Sequence, residues 1–389
     1  MTLPETTFVH WEENGQSRQA LWPTEHGARL PTRVQVCTEL EPAQAHRLAS
    51  AGTGLLWRGT YPKALQLLQA MSARMEDAAQ RQHSRSAATP PDLSTAFAVH
   101  RQSQGLRARV LGQLLIEIDG THRIALHRAP DVRAACAEAW GQPDGQHRVV
   151  SLRALLGLIG AHEWRKKGLP IQALGGARIH PHHGVYSPVR GEYLDLMVQA
   201  PLPVALSHCP LAMDLGVGTG VLSALLLRRG VPRVIATDLS PRAIACADDN
   251  LRRLGLRDAV ELQLTDLYPE GQAALVVCNP PWLPGQPSSA LDQAIYDPDS
   301  TMLRGFLSGL AAHLCPGGEG WLVLSDLAER LGLRTRHQLQ DWIAQAGLRV
   351  LGRLDTRPRH PKTQDTTDPL HAARAAEVTS LWCLSTKTD

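Results

Sequence analysis

The chain has 389 residues, 43% hydrophobic and 20% charged, with a formal net charge of +3. That is the balance of an ordinary globular protein with length for two domains and a substantial core, and so small a charge does not by itself argue for nucleic acid. Seven scattered cysteines without a C-x-x-C argue against a disulfide framework or zinc ribbon. No apolar run approaches the roughly 20 residues of a membrane helix, and the first residues show no basic or apolar leader. A soluble, cytoplasmic protein with no membrane partner is therefore expected.

Charge is unevenly distributed. Residues 1–178 carry 21 Lys/Arg against 15 Asp/Glu, and residues 179–389 carry 19 against 22. The first half is the basic one, which favours a polyanionic partner for it. An arginine-rich composition accounts for it equally well, since only five of the 40 basic residues are lysine. Residues 1–36 are polar and irregular and carry no clear pattern. Residues 41–51 and 62–85 have helical periodicity, the second with a Leu/Met stripe that reads as core. Residues 86–94 read as a loop, and 96–111 as a further helix. Residues 113–119 and 121–126 flank Asp119-Gly120, a hairpin signal, and 131–140 read as helix. This half is expected to be an α+β module, a candidate substrate-recognition domain. Residues 151–167 predict a helix whose final Arg165-Lys166-Lys167 complements its dipole. His180, His182 and His183 cluster, but Pro181 breaks any i, i+4 geometry, so no metal site is expected.

The second half is organised around residues 211–282. A buried strand runs into Asp214-x-Gly216-x-Gly218-x-Gly220 and then a helix, an arrangement that sets backbone N–H groups at a helix N-terminus where a cofactor can approach. A dinucleotide fingerprint needs its third glycine one residue later, where Val221 stands. Residues 233–239 predict a second strand ending at Asp238, placed to accept from ribose hydroxyls. Residues 260–266 predict a third ending at Asp266, and 273–278 a fourth delivering Asn279-Pro280-Pro281-Trp282 to the same edge. Residues 301–314 and 334–346 predict helices, and 319–325, 348–354 and 379–384 the remaining strands. Residues 356–374 form a long connection rich in Arg, His, Pro and Thr. Arg357, Arg359, His360 and Lys362 would suit it to an RNA phosphate backbone.

These motifs, in this order, resemble a class I S-adenosylmethionine-dependent methyltransferase over residues 179–389, and the N-P-P-W tetrad resembles that of enzymes methylating a planar exocyclic nitrogen. Those include adenine N6 and guanine N2 methyltransferases of DNA and rRNA, and HemK-like glutamine methyltransferases. The resemblance implies an α/β fold, a seven-strand Rossmann-like methyltransferase domain at 179–389; the smaller α+β N-terminal domain at 1–178 that precedes it is read from the residue pattern alone. The resemblance also implies S-adenosylmethionine as cofactor. Gly216, Gly218 and Gly220 would form the cofactor turn, with Asp214 orienting it. Asp238 would take the ribose, Asp266 the adenine amino group and Leu267 the ring. The segment 184–196 resembles a stretch that folds over the cofactor, with Tyr186 in it, Arg190 reaching the cofactor carboxylate and Glu192 orienting Arg190.

The tetrad also has a chemical reading of its own. A planar amide or aniline-type nitrogen has its lone pair in the π-system and is a poor nucleophile. Acceptors aimed at its two N–H groups, the Asn279 side-chain oxygen and the Pro280 carbonyl, would push electron density toward the methyl donor. Pro281 would stiffen the turn, and Trp282 would offer a stacking face worth about 1–3 kcal/mol for a base. The leading expectation is an RNA (rRNA) base as acceptor. The alternatives are a protein substrate with a target glutamine, as in release factors, and a catalytically idle cofactor-fold module that binds a partner. A nicotinamide oxidoreductase is disfavoured by Val221.

Overall fold

The computed structural model describes residues 7–23, 29–85, 92–188, 191–287, 291–359 and 368–387, the side chains of 82–85 apart. Contacts divide the chain into two units, one of residues 1–92 and 98–163, the other of 93–97 and 164–389. The division falls earlier than the expected 178/179, and Ile171 and Leu174 are accordingly built into the second unit's core.

In the first unit the strands are β1 (Phe8–Glu13), β2 (Gln16–Leu21), β3 (Arg33–Cys37), β4 (Thr53–Trp57), β5 (Leu114–Ile118) and β6 (Arg148–Ser151). Its helices are α1 (Pro42–Ser50), α2 (Tyr61–Arg85), α3 (Leu93–Leu111, its first turn counted with the second unit), α4 (Arg133–Trp140) and α5 (Leu152–Lys167), whose last turn crosses the division. The sheet order is β1-β2-β6-β5-β4-β3. Alternation along the strands fills both faces. Leu55, Trp57, Leu114, Ile116 and Val150 join a core with α1 and α2, while Leu56, Leu115 and Val149 meet Trp11 and Trp22 on the other face. Two readings are corrected. The first 36 residues hold a hairpin, turned by Asn14 (φ 54°) and Gly15 (φ 73°), a strong two-residue turn signal that went unused. Residues 121–126 are not a strand, because β5 pairs antiparallel with β6 and parallel with β4. Gly120 instead lies so close to Gly145 that a Cβ there would fall 2.3 Å from its carbonyl oxygen.

In the second unit the strands are β7 (Leu169–Ile171), β8 (Ala177–Ile179), β9 (Leu211–Leu215), β10 (Arg233–Asp238), β11 (Val260–Leu264), β12 (Ala273–Cys278), β13 (Leu314–Ser325), β14 (Leu348–Thr356) and β15 (Thr379–Thr386). Its helices are α6 (Glu192–Gln199), α7 (Val221–Arg228), α8 (Pro241–Arg253), α9 (Thr301–His313), α10 (Leu327–Arg330), α11 (Arg336–Gln345) and α12 (His371–Ala375). β7 and β8 form a small antiparallel pair. The other seven form one sheet in the order β11-β10-β9-β12-β13-β15-β14, parallel except for β15, which runs antiparallel to both neighbours. Its central strands are buried on both faces. Leu275 and Val277 of β12 point to a core with α6 and α7, and Val276 and Cys278 to one with α9 and α11. The chain leaves β9 toward β10 on one side, and β12 lies on the other, so the strand order reverses between β9 and β12. A crevice forms outside the carboxyl ends of strands at such a point.

Candidate active site

Pairing fixes which residues meet at this edge. Thr237 and Cys278 stand beside Leu215 on either side, and Asp238 stands beside Leu264. Gly216 and Asn279 therefore leave adjacent strands at the same level. The asparagine of the tetrad and the first glycine of the turn share one edge of one sheet.

The turn is held from three directions. Gly216 N and Val217 N donate to the Thr237 carbonyl at 2.9 and 2.8 Å, so β10 anchors its start. Gly218 N donates to Asp238 Oδ2 at 3.1 Å, and Ser240 N to Asp238 Oδ1 at 2.9 Å. Gly220 (φ 80°) precedes α7 in a left-handed conformation, with a tight fit for a Cβ, which would stand 3.3 Å from Ala247. Having no side chain, it cannot cap α7. Asp214 does so from the strand before, its Oδ2 accepting from Ser223 N at 3.0 Å and Ser223 Oγ at 2.6 Å. Asp214 is wholly buried, and burial pushes its carboxyl up to about 6. Its Oδ1 is buried with no hydrogen-bond partner among the described residues. Burial likewise raises Asp238.

These residues fit the cofactor that the turn implies. A Cβ at Gly218 would meet only the Gly216 carbonyl oxygen, at 4.0 Å, so there the turn faces open space. Asp238, with the backbone N–H groups of Gly218 and Ser240 on its two oxygens, keeps acceptor capacity beyond them. Asp266 is exposed just beyond β11. Leu267 adopts φ 51°, its carbonyl accepts from Thr237 Oγ1 at 2.5 Å, and its side chain reaches α9 at Gly305. Arg190 lies outside the described residues. Tyr186 is exposed. The Glu192 carboxylate accepts from the Arg359 backbone N–H at 2.7 Å, which ties α6 to the long connection after β14. Arg357 and Arg359 are exposed, and His360 and Lys362 lie outside the described residues.

At the tetrad, Trp282 Nε1 donates to Asn279 Oδ1 at 2.9 Å. The buried Tyr193 hydroxyl lies beside the same amide. The carboxamide oxygen is thus held by the indole and flanked by the phenol, with lone-pair capacity left on it. Trp282 is half-buried and packs on both cores, so much of its ring is committed to the protein and less is free for stacking than the sequence suggests. Pro280 is buried.

Two contributors have no motif. Tyr193 sits on an amphipathic helix among leucines, and nothing in its spacing marks it. Asn250 of α8 is buried; its Nδ2 donates to the Thr219 carbonyl at 3.1 Å, and its Oδ1 accepts from His180 N at 2.7 Å. It stitches the segment before the sheet to the glycine turn. The histidines are tied to the same helix. His182 Nε2 lies 3.2 Å from Asp249 Oδ2, and His183 Nδ1 lies 3.2 Å from Arg242 Nη1. Among the described residues no group of three or more His, Cys, Asp or Glu could hold a metal ion, and no helix is long and apolar enough to cross a membrane.

Residues 177–335 match the family model of the methyltransferase small domain. A release factor glutamine methyltransferase of Cereibacter sphaeroides is 33% identical over 38% of this chain and 56% of its own length. A ribosomal protein L11 methyltransferase of Tolumonas auensis is 33% identical over 30% of this chain and 41% of its own. The chain thus spans about half the length of these relatives. Among solved structures, a ribosomal protein L11 methylase from Lactobacillus delbrueckii subsp. bulgaricus is similar, with 19% identity, 46% of this chain and 70% of that one covered, and a TM-score of 0.32.

Proposed function

We propose that this protein is an S-adenosylmethionine-dependent N-methyltransferase whose acceptor is the side-chain carboxamide of a protein, a glutamine in the first instance. The observation that carries the reading is the pairing of Cys278 with Leu215, which brings the Asn279 turn and the glycine turn out at one level. When bound, the cofactor supplies an electrophilic methyl group on a sulfonium. Gly216, Gly218 and Gly220 would lie against it, with Asp214, Asp238, Asp266 and Leu267 around it and Arg190 at its carboxylate.

The chain's own work is positional. The Asn279 oxygen and the Pro280 carbonyl accept from the two N–H groups of the target, so the nitrogen is oriented and made more electron-rich. Trp282 and Tyr193 hold the asparagine amide so that the alignment is present before the acceptor arrives. Pro281 stiffens the turn, and buried surroundings keep water from competing. No covalent intermediate with the protein is required.

The protein acceptor is supported by the relatives, one named for release factor glutamine and the other for ribosomal protein L11. The packing of Trp282 into both cores agrees with it, since a small amide needs less free ring than a base. The second reading, an exocyclic amino group of an RNA base, has the basic first half in its favour. Tritiated methyl transfer to ribosomal and release-factor protein, run beside transfer to total RNA, separates the two. Label on RNA with none on protein overturns the first reading. Label on neither, with the cofactor still bound, would instead favour an idle binding module.

A further inference from the structure

Arg334 follows α10 and is 4% exposed. Its Nε and Nη2 are buried and have no hydrogen-bond partner among the described residues. Both carboxylates that act on it electrostatically, Glu329 and Asp297, are engaged elsewhere. Glu329 grips Arg336 Nε with its two oxygens at 2.9 and 2.7 Å. Asp297 accepts from Met302 N at 2.9 Å and Leu303 N at 3.0 Å, capping α9. A guanidinium does not shed its proton to relieve the mismatch. An interior cation with two idle donors is costly, and protein interiors rarely keep one without use.

Its place is informative. Leu283, the residue after Trp282, packs with Leu327, Ala328 and Leu331 of the segment that carries Arg334. Asp297 N donates to the Leu283 carbonyl at 2.9 Å. Asp297, whose charge acts on Arg334, thus links the guanidinium to the continuation of the acceptor turn. Nε–H and one Nη2–H point the same way, forming the edge that grips a planar two-oxygen group.

We propose that the Nε/Nη2 edge of Arg334 is an oxyanion subsite of the acceptor site, taking a carboxylate that the acceptor polypeptide carries near its methylated amide. This rests on the protein-acceptor reading. A carboxylate suits the site better than a phosphate, because it is planar and singly charged and meets less repulsion from the flanking Asp297 and Glu329. The held group is shielded from water, where a charge-assisted pair is strongest.

The test uses the full chain, wild type and the variants Arg334→Met and Arg334→Lys. Thermal unfolding is followed in acetate, in phosphate and in chloride at matched ionic strength. Acetate well above its Kd should raise the wild-type Tm by about 3 °C over chloride. Arg334→Met should melt at or above wild type in chloride, because it removes a desolvated cation whose two donors are idle, and should show no acetate rise. Arg334→Lys should show a smaller rise, lacking the two-pronged edge. A low Tm for Arg334→Met in every buffer would make the residue structural and overturn the subsite, as would a wild type indifferent to acetate. A larger rise in phosphate than in acetate would overturn the carboxylate assignment and point to nucleic acid. In a second arm, replacing the acidic residues of a methylated peptide by their amides should lower kcat/KM about tenfold or more for wild type and not for Arg334→Met, with cofactor affinity unchanged in both. If no peptide is methylated, the acceptor reading fails while the anion result still stands on its own.

Discussion

Trp282 Nε1 and Asn279 Oδ1 are joined by a hydrogen bond of 2.9 Å that spans the two prolines between them. The tetrad is therefore a closed ring of contacts, in which the residue read as a stacking face also fixes the rotamer of the residue read as the acceptor.

Trp282→Phe keeps most of the ring and removes only the N–H. It should lower kcat about tenfold, the worth of one hydrogen bond in the barrier, and leave the cofactor Kd unchanged. Single-turnover kinetics with calorimetry measures both; an unchanged kcat would mean that Tyr193 alone sets the amide.

Asn279→Ala and Asp238→Ala should have opposite effects. The first should cost at least about a hundredfold in kcat with cofactor affinity within about twofold of wild type. The second should weaken cofactor binding about tenfold to a hundredfold, because Asp238 also holds Gly218 N and Ser240 N. Equal loss of cofactor affinity in both would contradict the division of roles.

The folded chain holds the Asp214 proton more tightly than the unfolded chain does, with a pKa of about 6 against 3.8. Its contribution to stability is complete below the unfolded value and is lost as pH rises through about 6. Asp214→Asn does not titrate, so wild-type stability relative to that variant should fall by up to about 3 kcal/mol between about pH 4 and pH 7. Urea unfolding across this range gives the difference, and one that is flat or rises with pH would refute it.

Asn250→Ala leaves the Thr219 carbonyl and the His180 backbone without their buried partner. It should destabilise the second unit by about 2–3 kcal/mol and weaken cofactor binding through a looser turn. Guanidinium unfolding and a cofactor titration on the same preparation check the two effects together. Full stability would show that water replaces the side chain.

The parts of the site that lie within one strand-and-turn were legible. Gly216, Gly218 and Gly220 were readable because a tight turn with positive φ excludes side chains, and Asp238 because it ends an apolar run. The hairpin at Asn14-Gly15 was equally readable and was missed, its second strand, Gln16–Leu21, being mostly polar. The false hairpin after Asp119 shows the limit of local signals, since a turn does not choose the partner of β5. Tyr193, Asn250 and Arg334 carry no local mark at all.

The amino-acid order by itself determined where strands, turns and helices alternate and which residues crowd the ends of the strands, because backbone propensity and hydrophobic period act over a few neighbours. Only the folded sheet decided that Asn279 emerges beside Gly216, that His180 and His182 join α8, and that Arg334 is left with two idle donors. Those outcomes depend on which strands pair and which side chains are buried together, and such contacts join residues tens of positions apart.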